Sequence, residues 1–142
     1  MSTVDIMIVD DSPIIRQKLT VMLEQIGYRV VQTAATGKEA IAAYRNQRPD
    51  LVTMDITMPD MDGIEATRAI IGEFPDAKIV MVTSHGQEKM VLEALKAGAK
   101  GYVIKPFQPH VVYEAIQKAC RRTVDQAKVQ AIIEQRLNTT ES

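Results

Sequence analysis

Short apolar runs alternate along this chain with longer stretches in which apolar residues return every three or four positions. The runs are IMIV (6–9), RVVQ (29–32), LVTM (51–54), IVMV (79–82) and YVI (102–104). Most are apolar at successive positions, so both faces must be covered, as in parallel strands flanked by helices. Between the first two runs, Ile14, Ile15, Leu19, Met22, Leu23 and Ile26 recur at helical spacing, with Ser12-Pro13 as a start and Gly27 as a stop. Thr36 and Glu39 make a capping box for a second helix whose apolar face includes Ala40, Ile41 and Tyr44. Ile64, Ile70 and Ile71 mark a third, with Thr67 the one polar residue on that face. Met90, Val91, Ala94 and Leu95 mark a fourth ending at Gly98, and Pro109 opens a fifth. Five strands alternating with five helices over short connections predict an α/β doubly wound parallel sheet. Right-handed crossovers then put helices on both faces.

The fifth helical stretch runs on. From Pro109 to Leu137 there is no glycine or further proline, while Val112, Ile116, Ala119, Cys120, Val124, Ala127 and Ala131 keep the pattern going. A continuous helix there would hold about 29 residues and span roughly 43 Å. The stripe drifts, because Val129, Ile132, Ile133 and Leu137 lie partly on another face, which suits a second contact surface or a break better than a heptad seam. The expected division is a globular domain over 1–122 and a helical extension over 123–142 with a frayed end. The apolar content of that extension suggests packing on the domain or on a second copy of the chain as a homodimer.

Composition narrows the function classes. A chain of 142 residues suits one ordinary domain. With 17 basic against 18 acidic residues, no global field draws it to DNA or to an anionic membrane, and only Arg121-Arg122 hints at a basic patch. The single Cys120 excludes an internal disulfide or a cysteine-rich zinc site and reads as a core or seam residue. No apolar run approaches the ~18 residues of a membrane span, and the start MSTVDIM lacks a signal-peptide pattern. The expectation is a cytoplasmic protein with no membrane insertion.

Chemistry gathers where the runs end: Asp10 and Asp11 after the first, Asp55 after the third, Thr83 after the fourth and Lys105 after the fifth. In one parallel sheet all five converge at the carboxyl edge, where open α/β sheets bind ligands. Three carboxylates, a hydroxyl and an ammonium read as a site for a divalent cation and a phosphoryl group. Mg²⁺ takes oxygen ligands, often one or two carboxylates plus phosphate oxygens and water. A helix N-terminal cap is the plainer role of Asp10-Asp11, but it leaves Asp55 and Lys105 at matching strand ends unaccounted for.

Four motifs, VDDS (9–12), MDITMPDMDG (54–63), VTSHG (82–86) and KPF (105–107), occur in the order and at the strand ends seen in response-regulator receiver domains of two-component signalling. The chain resembles that family over about residues 4–122, and most closely its stand-alone CheY-like chemotaxis type. The resemblance implies a flavodoxin-like fold with strand order 2-1-3-4-5. It makes Asp55 the acceptor of a phosphoryl group from a histidine kinase, and it puts Mg²⁺ on Asp11 directly, on Asp10 mainly through water, on Asp55 and on the backbone carbonyl of Thr57. Lys105 and Thr83 would neutralise and hold the phosphoryl oxygens, and Lys105-Pro106 would be cis. As a switch, Thr83 would move toward the phosphoryl group and Tyr102 would turn inward, by population shift. Output would pass to a protein target through the face of the fourth helix, fifth strand and fifth helix, including Lys89, Glu93, Lys96, Tyr102 and Tyr113. Pro59 and Gly63 read as turn residues, Gly63 as one suited to positive φ.

The chain departs from the best-known chemotaxis pattern at residues that tune dephosphorylation. Thr57 stands where an asparagine is frequent and His85 where an acid is frequent, so fast self-dephosphorylation is not implied. His85 also sets a pH-sensitive group at the rim, although an exposed loop histidine is the plainer reading. A phosphohydrolase of the haloacid-dehalogenase kind would also use a strand-end aspartate, but it wants a second acid where Thr57 stands. A flavodoxin-like cofactor module wants a hydroxyl- and glycine-rich loop where DDSP stands. A phosphorelay carrier or a single-domain regulator outside chemotaxis remains a further alternative for the pathway.

Overall fold

A computed structural model of the chain describes residues 4–120. Ten elements alternate: β1 (Asp5–Val9), α1 (Pro13–Ile26), β2 (Arg29–Ala34), α2 (Gly37–Gln47), β3 (Leu51–Asp55), α3 (Gly63–Glu73), β4 (Ile79–Thr83), α4 (Glu88–Lys96), β5 (Gly101–Ile104) and α5 (Pro109–Cys120). The sheet is parallel throughout, in the order β2-β1-β3-β4-β5. The expected long fifth helix, the extension over 123–142 and the homodimer contact lie outside the described residues. No helix among the described residues is long and apolar enough to cross a membrane.

Alternation of side chains along the strands splits the core in two. Met7, Val9, Val52, Met54, Ile79 and Met81 face α2, α3 and α4, while Ile6, Ile8, Leu51, Val80, Val82 and Val103 face α1 and α5. The central strands β1, β3 and β4 are covered on both sides, which explains their unbroken apolar runs. The edge strands β2 and β5 are partly open, which explains Arg29, Gln32 and Thr33 in the first and the half-exposed Tyr102 in the second. Cys120 is half-buried against the α1/α5 layer, a seam position.

Helix ends follow the sequence signals with small shifts. Ser12 Oγ accepts from the Ile15 N–H at 3.3 Å with Pro13 beside it, and Gly27 closes α1 at φ +118°. Thr36 Oγ1 accepts from the Glu39 N–H at 3.1 Å, but the return bond to Glu39 comes from the Ala35 N–H, one residue earlier than a capping box requires. One position on α1 departs from its periodic pattern: Ile14 is 65% exposed, because the core-facing stripe is carried by Leu19 and Leu23. Thr67 is fully buried and donates its hydroxyl to Met81 Sδ at 3.6 Å, which satisfies the one polar residue on the α3 face.

Candidate functional site

Backbone bonds that extend the sheet past its strands set the site. The Asp10 N–H donates to the Ala34 carbonyl at 3.0 Å, so the chain stays in register with β2 one residue beyond β1. The Asp10 carboxylate then stands over the sheet edge at 1% exposure. Its Oδ1 accepts from the Ser12 N–H at 2.9 Å, and its carbonyl accepts from Arg16 Nη1 at 2.7 Å. Asp11 follows on the exposed side. Asp55 is the last residue of β3, paired with Val82 of β4 and 6% exposed. The Lys105 N–H donates to the Thr83 carbonyl at 2.7 Å, and the Lys105-Pro106 peptide is cis. Lys105 Nζ lies 3.1 Å from Asp10 Oδ2 and 3.5 Å from Asp55 Oδ1.

Gly63 supports this frame in a way its turn position did not suggest. Its φ is not positive; instead, a Cβ there would collide with the backbone carbonyl of Asp55, while the Gly63 N–H donates to the Ile56 carbonyl at 2.7 Å. The glycine is needed for close approach of α3 to the end of β3, and the expectation of left-handed backbone is corrected.

Electrostatically the pocket is crowded. One carboxylate oxygen from each of Asp10, Asp11 and Asp55 lies within 4.8 Å of the others. Burial, reinforced by the Asp10 charge, pushes the Asp55 carboxyl up to about 6; Lys105 opposes this, Asp11 adds to it, and a hydrogen bond from the Thr57 backbone N–H pulls the other way. Asp10 Oδ2 is buried and accepts no hydrogen bond, its approach to Lys105 being an ionic contact off the hydrogen-bonding direction. A buried carboxylate oxygen with no hydrogen bond, beside two more carboxylates that share one ammonium, belongs to an all-oxygen donor set short of positive charge, which fits a hard divalent cation such as Mg²⁺.

The other side of the same edge is arranged differently. Thr83 ends β4 at 2% exposure, but its hydroxyl is turned to Gln87 Oε1 at 2.7 Å. Gln87 Oε1 also accepts from the Ser84 N–H at 2.8 Å, and Gln87 Nε2 donates to Thr57 Oγ1 at 2.9 Å. Tyr102 is 46% exposed and, with Thr83, lines a groove of about 340 Å³ between α4 and β5, and His85 sits exposed in the β4–α4 loop. Thus Asp10, Asp11, Asp55 and Lys105 come together, whereas Thr83 reaches the same edge with its hydroxyl engaged elsewhere. Sequence reasoning passed over Gln87. The available signal was its place at the N-cap of α4, where Ser, Thr, Asp or Asn is usual and where its side chain makes no capping bond.

The profile of the response regulator receiver domain matches residues 6–117. The chain belongs to the response regulator receiver domain family. This receiver domain is 46% identical over 116 residues to the chemotaxis protein CheY of Thermotoga maritima, covering 82% of this chain and 97% of that protein. Among solved structures it is similar to the CheX–CheY–BeF3–Mg²⁺ complex from Borrelia burgdorferi, with a TM-score of 0.77 and 35% identity over 80% of this chain and 87% of that one. It is also similar to a two-component response regulator of the LuxR family from an Aurantimonas species, with a TM-score of 0.79 and 42% identity over 96% of this chain and 99% of that one. Receiver domains of this kind are phospho-accepting signalling switches and not classical enzymes.

Proposed function

We propose that this receiver domain is switched by a phosphoryl group on Asp55, taken from the phosphohistidine of a histidine kinase. The observation that carries this reading is the position of the Asp55 carboxylate, almost buried at the sheet's carboxyl edge, 3.5 Å from Lys105 Nζ and beside Asp10 and Asp11. An Asp55 oxygen forms the new P–O bond as the P–N bond to the donor breaks, and the electron pair of that bond stays on the imidazole nitrogen. Such transfer depends mostly on positioning and on neutralising the equatorial oxygens. Lys105 neutralises one side. Asp10, Asp11, Asp55 and the Thr57 carbonyl would hold Mg²⁺, which when bound supplies the remaining positive charge. Thr83 donates its hydroxyl to a phosphoryl oxygen once released from Gln87, and Tyr102 turns inward as the active arrangement is populated. Thr57 and His85, at the mouth, tune the lifetime of the phosphoryl group.

Output passes to a protein target through the α4–β5–α5 face. Leu92, Leu95, Tyr102 and Val111 are exposed apolar residues there, among Lys89, Glu93 and Lys96. Tyr113 is half-exposed and stacks on Tyr28 at 6.4 Å, so its ring leans toward the α1–β2 turn. The likeness to chemotaxis CheY proteins favours a chemotaxis pathway.

Incubation of the full chain with acetyl phosphate and Mg²⁺, read by mass spectrometry, tests the reading. One acyl phosphate per chain is expected, lost in Asp55→Asn and blocked by EDTA. Undiminished incorporation in Asp55→Asn, or an unchanged rate in EDTA, would overturn the acceptor or the metal assignment. Many turnovers without a covalent product would favour a phosphohydrolase.

A further inference from the structure

The carboxamide of Gln87 meets four neighbours. Its oxygen accepts from the Thr83 hydroxyl and the Ser84 N–H, and its nitrogen donates to Thr57 Oγ1 and approaches Met90 Sδ at 3.9 Å. The orientation is fixed, because swapping O and N would set an NH₂ against the Ser84 N–H, donor against donor. Thr83 must therefore act as donor toward Gln87. A hydroxyl has one proton. The Ser84 carbonyl, at 3.3 Å, is the poorer second acceptor. A phosphoryl oxygen on Asp55 accepts only, so it and Gln87 Oε1 compete for the same proton.

From this we infer that Gln87 is a positioning residue that holds the switch off: it occupies the Thr83 hydroxyl in the unphosphorylated chain and sets how strongly a phosphoryl group must pull to recruit it. The inference rests on Asp55 as the phosphoacceptor and adds the regulation of that site. Three further observations support it. Gln87 is the N-cap residue of α4, yet its side chain makes no capping bond and is spent on the two loops beside the site. Thr57, its other partner, lies two residues from Asp55, so the one carboxamide joins the β3–α3 and β4–α4 turns. Thr83, Gln87, Val91, Leu95, Tyr102 and Ile104 line one groove, which puts the hydroxyl, its holder and the aromatic of the output face around a common space. When Thr83 leaves, Gln87 Oε1 keeps the Ser84 N–H, so release exchanges one neutral hydrogen bond for another made to an anion, the stronger kind.

The test is a titration of the full chain with beryllofluoride in the presence of Mg²⁺, followed by NMR. Relative to the parent chain, Gln87→Ala and the similarly sized Gln87→Met should bind about 2- to 10-fold tighter, the worth of one neutral hydrogen bond. In a Thr83→Ala background the same changes should leave affinity unmoved, an outcome that general loosening of the loop would not produce. Equal or weaker binding by both Gln87 variants, or the same gain with Thr83 absent, overturns the inference while leaving Asp55 as acceptor. A parent chain that binds no beryllofluoride overturns the acceptor reading and the inference with it.

Discussion

The two halves of the sheet's carboxyl edge are opposite in kind. At the ends of β1, β3 and β5, backbone bonds hold Asp10, Asp55 and Lys105 in place, yet three carboxylates face one ammonium and one buried oxygen has no hydrogen bond. On the β4–α4 side, Thr83, Ser84, Gln87 and Thr57 close a circuit of hydrogen bonds. The first half is built for a ligand it has to bind to become comfortable; the second is comfortable already and has to be displaced. Under the proposed phosphorylation, a phosphoryl group with its cation would gain free energy on one side and give up part of it on the other, as a two-state switch requires.

The largest expected effect separates the halves by chemistry. Asp11→Ala removes an oxygen from the proposed cation site and should slow labelling by acetyl phosphate by at least about 100-fold, since a metal is worth several kcal/mol in such a transfer. Asp10→Ala should cost less, because Asp10 already gives one oxygen to the Ser12 N–H and the other to Lys105. Thr83→Ala should slow labelling only a few-fold, because its hydroxyl is not aimed at Asp55. A Thr83 variant as impaired as Asp11→Ala would dissolve the division.

Stability should register the same crowding. The folded chain holds the Asp55 proton more tightly than the unfolded chain, whose carboxyl has an ordinary value of 3.8 against about 6 when folded. Stability from this group is therefore full below 3.8 and is lost as pH rises through about 6, a loss of order 3 kcal/mol at most. In EDTA, Asp55→Asn should exceed the parent in stability to urea by about 1–3 kcal/mol at neutral pH, with the gap closing in acid and narrowing on addition of Mg²⁺. A gap independent of both pH and Mg²⁺ would mean that the carboxylates are not in conflict.

The backbone frame offers a sharper cut. Gly63→Ala would press a methyl into the Asp55 carbonyl and should lower stability by about 1–3 kcal/mol. It should also impair labelling, through the placement of Asp55. Gly27→Ala is a control, since a Cβ there meets nothing and its left-handed backbone is remote from the edge. Thermal melts with labelling rates on both variants check this, and equal labelling defects would remove Gly63 from the frame.

These contrasts follow what the sequence made legible. Asp10, Asp55 and Lys105 were readable because apolar runs of strand length ended at charges, and a parallel sheet brings strand ends together. The alternation also gave the element order and both core layers. Gln87 was not readable, since a side-chain bond between two loops has no period and glutamine is an ordinary surface residue. Gly63 was placed at the right turn for the wrong reason, because close approach between α3 and β3 is a tertiary fact. Ile14 fits a helical stripe by spacing alone, but in the packed fold it is exposed while Leu19 and Leu23 fill the core.

The smallest expected effect lies at Thr57, where the halves touch. Its hydroxyl accepts from Gln87 Nε2, so it is tied to the β4–α4 circuit, while its backbone N–H serves the Asp55 carboxyl. A hydroxyl occupied in this way has little left to hold an attacking water, whereas an asparagine offers a longer arm with both a donor and an acceptor. Thr57→Asn should shorten the phosphoryl lifetime on Asp55 by roughly 3- to 10-fold, an effect the size of one hydrogen bond. The loss of label after removal of acetyl phosphate measures it. If the lifetime shortens in Thr57→Asn but also in Thr57→Ala, freeing Gln87 is the cause and the carboxamide adds nothing; if only the asparagine shortens it, a held water is the cause and the two halves act separately.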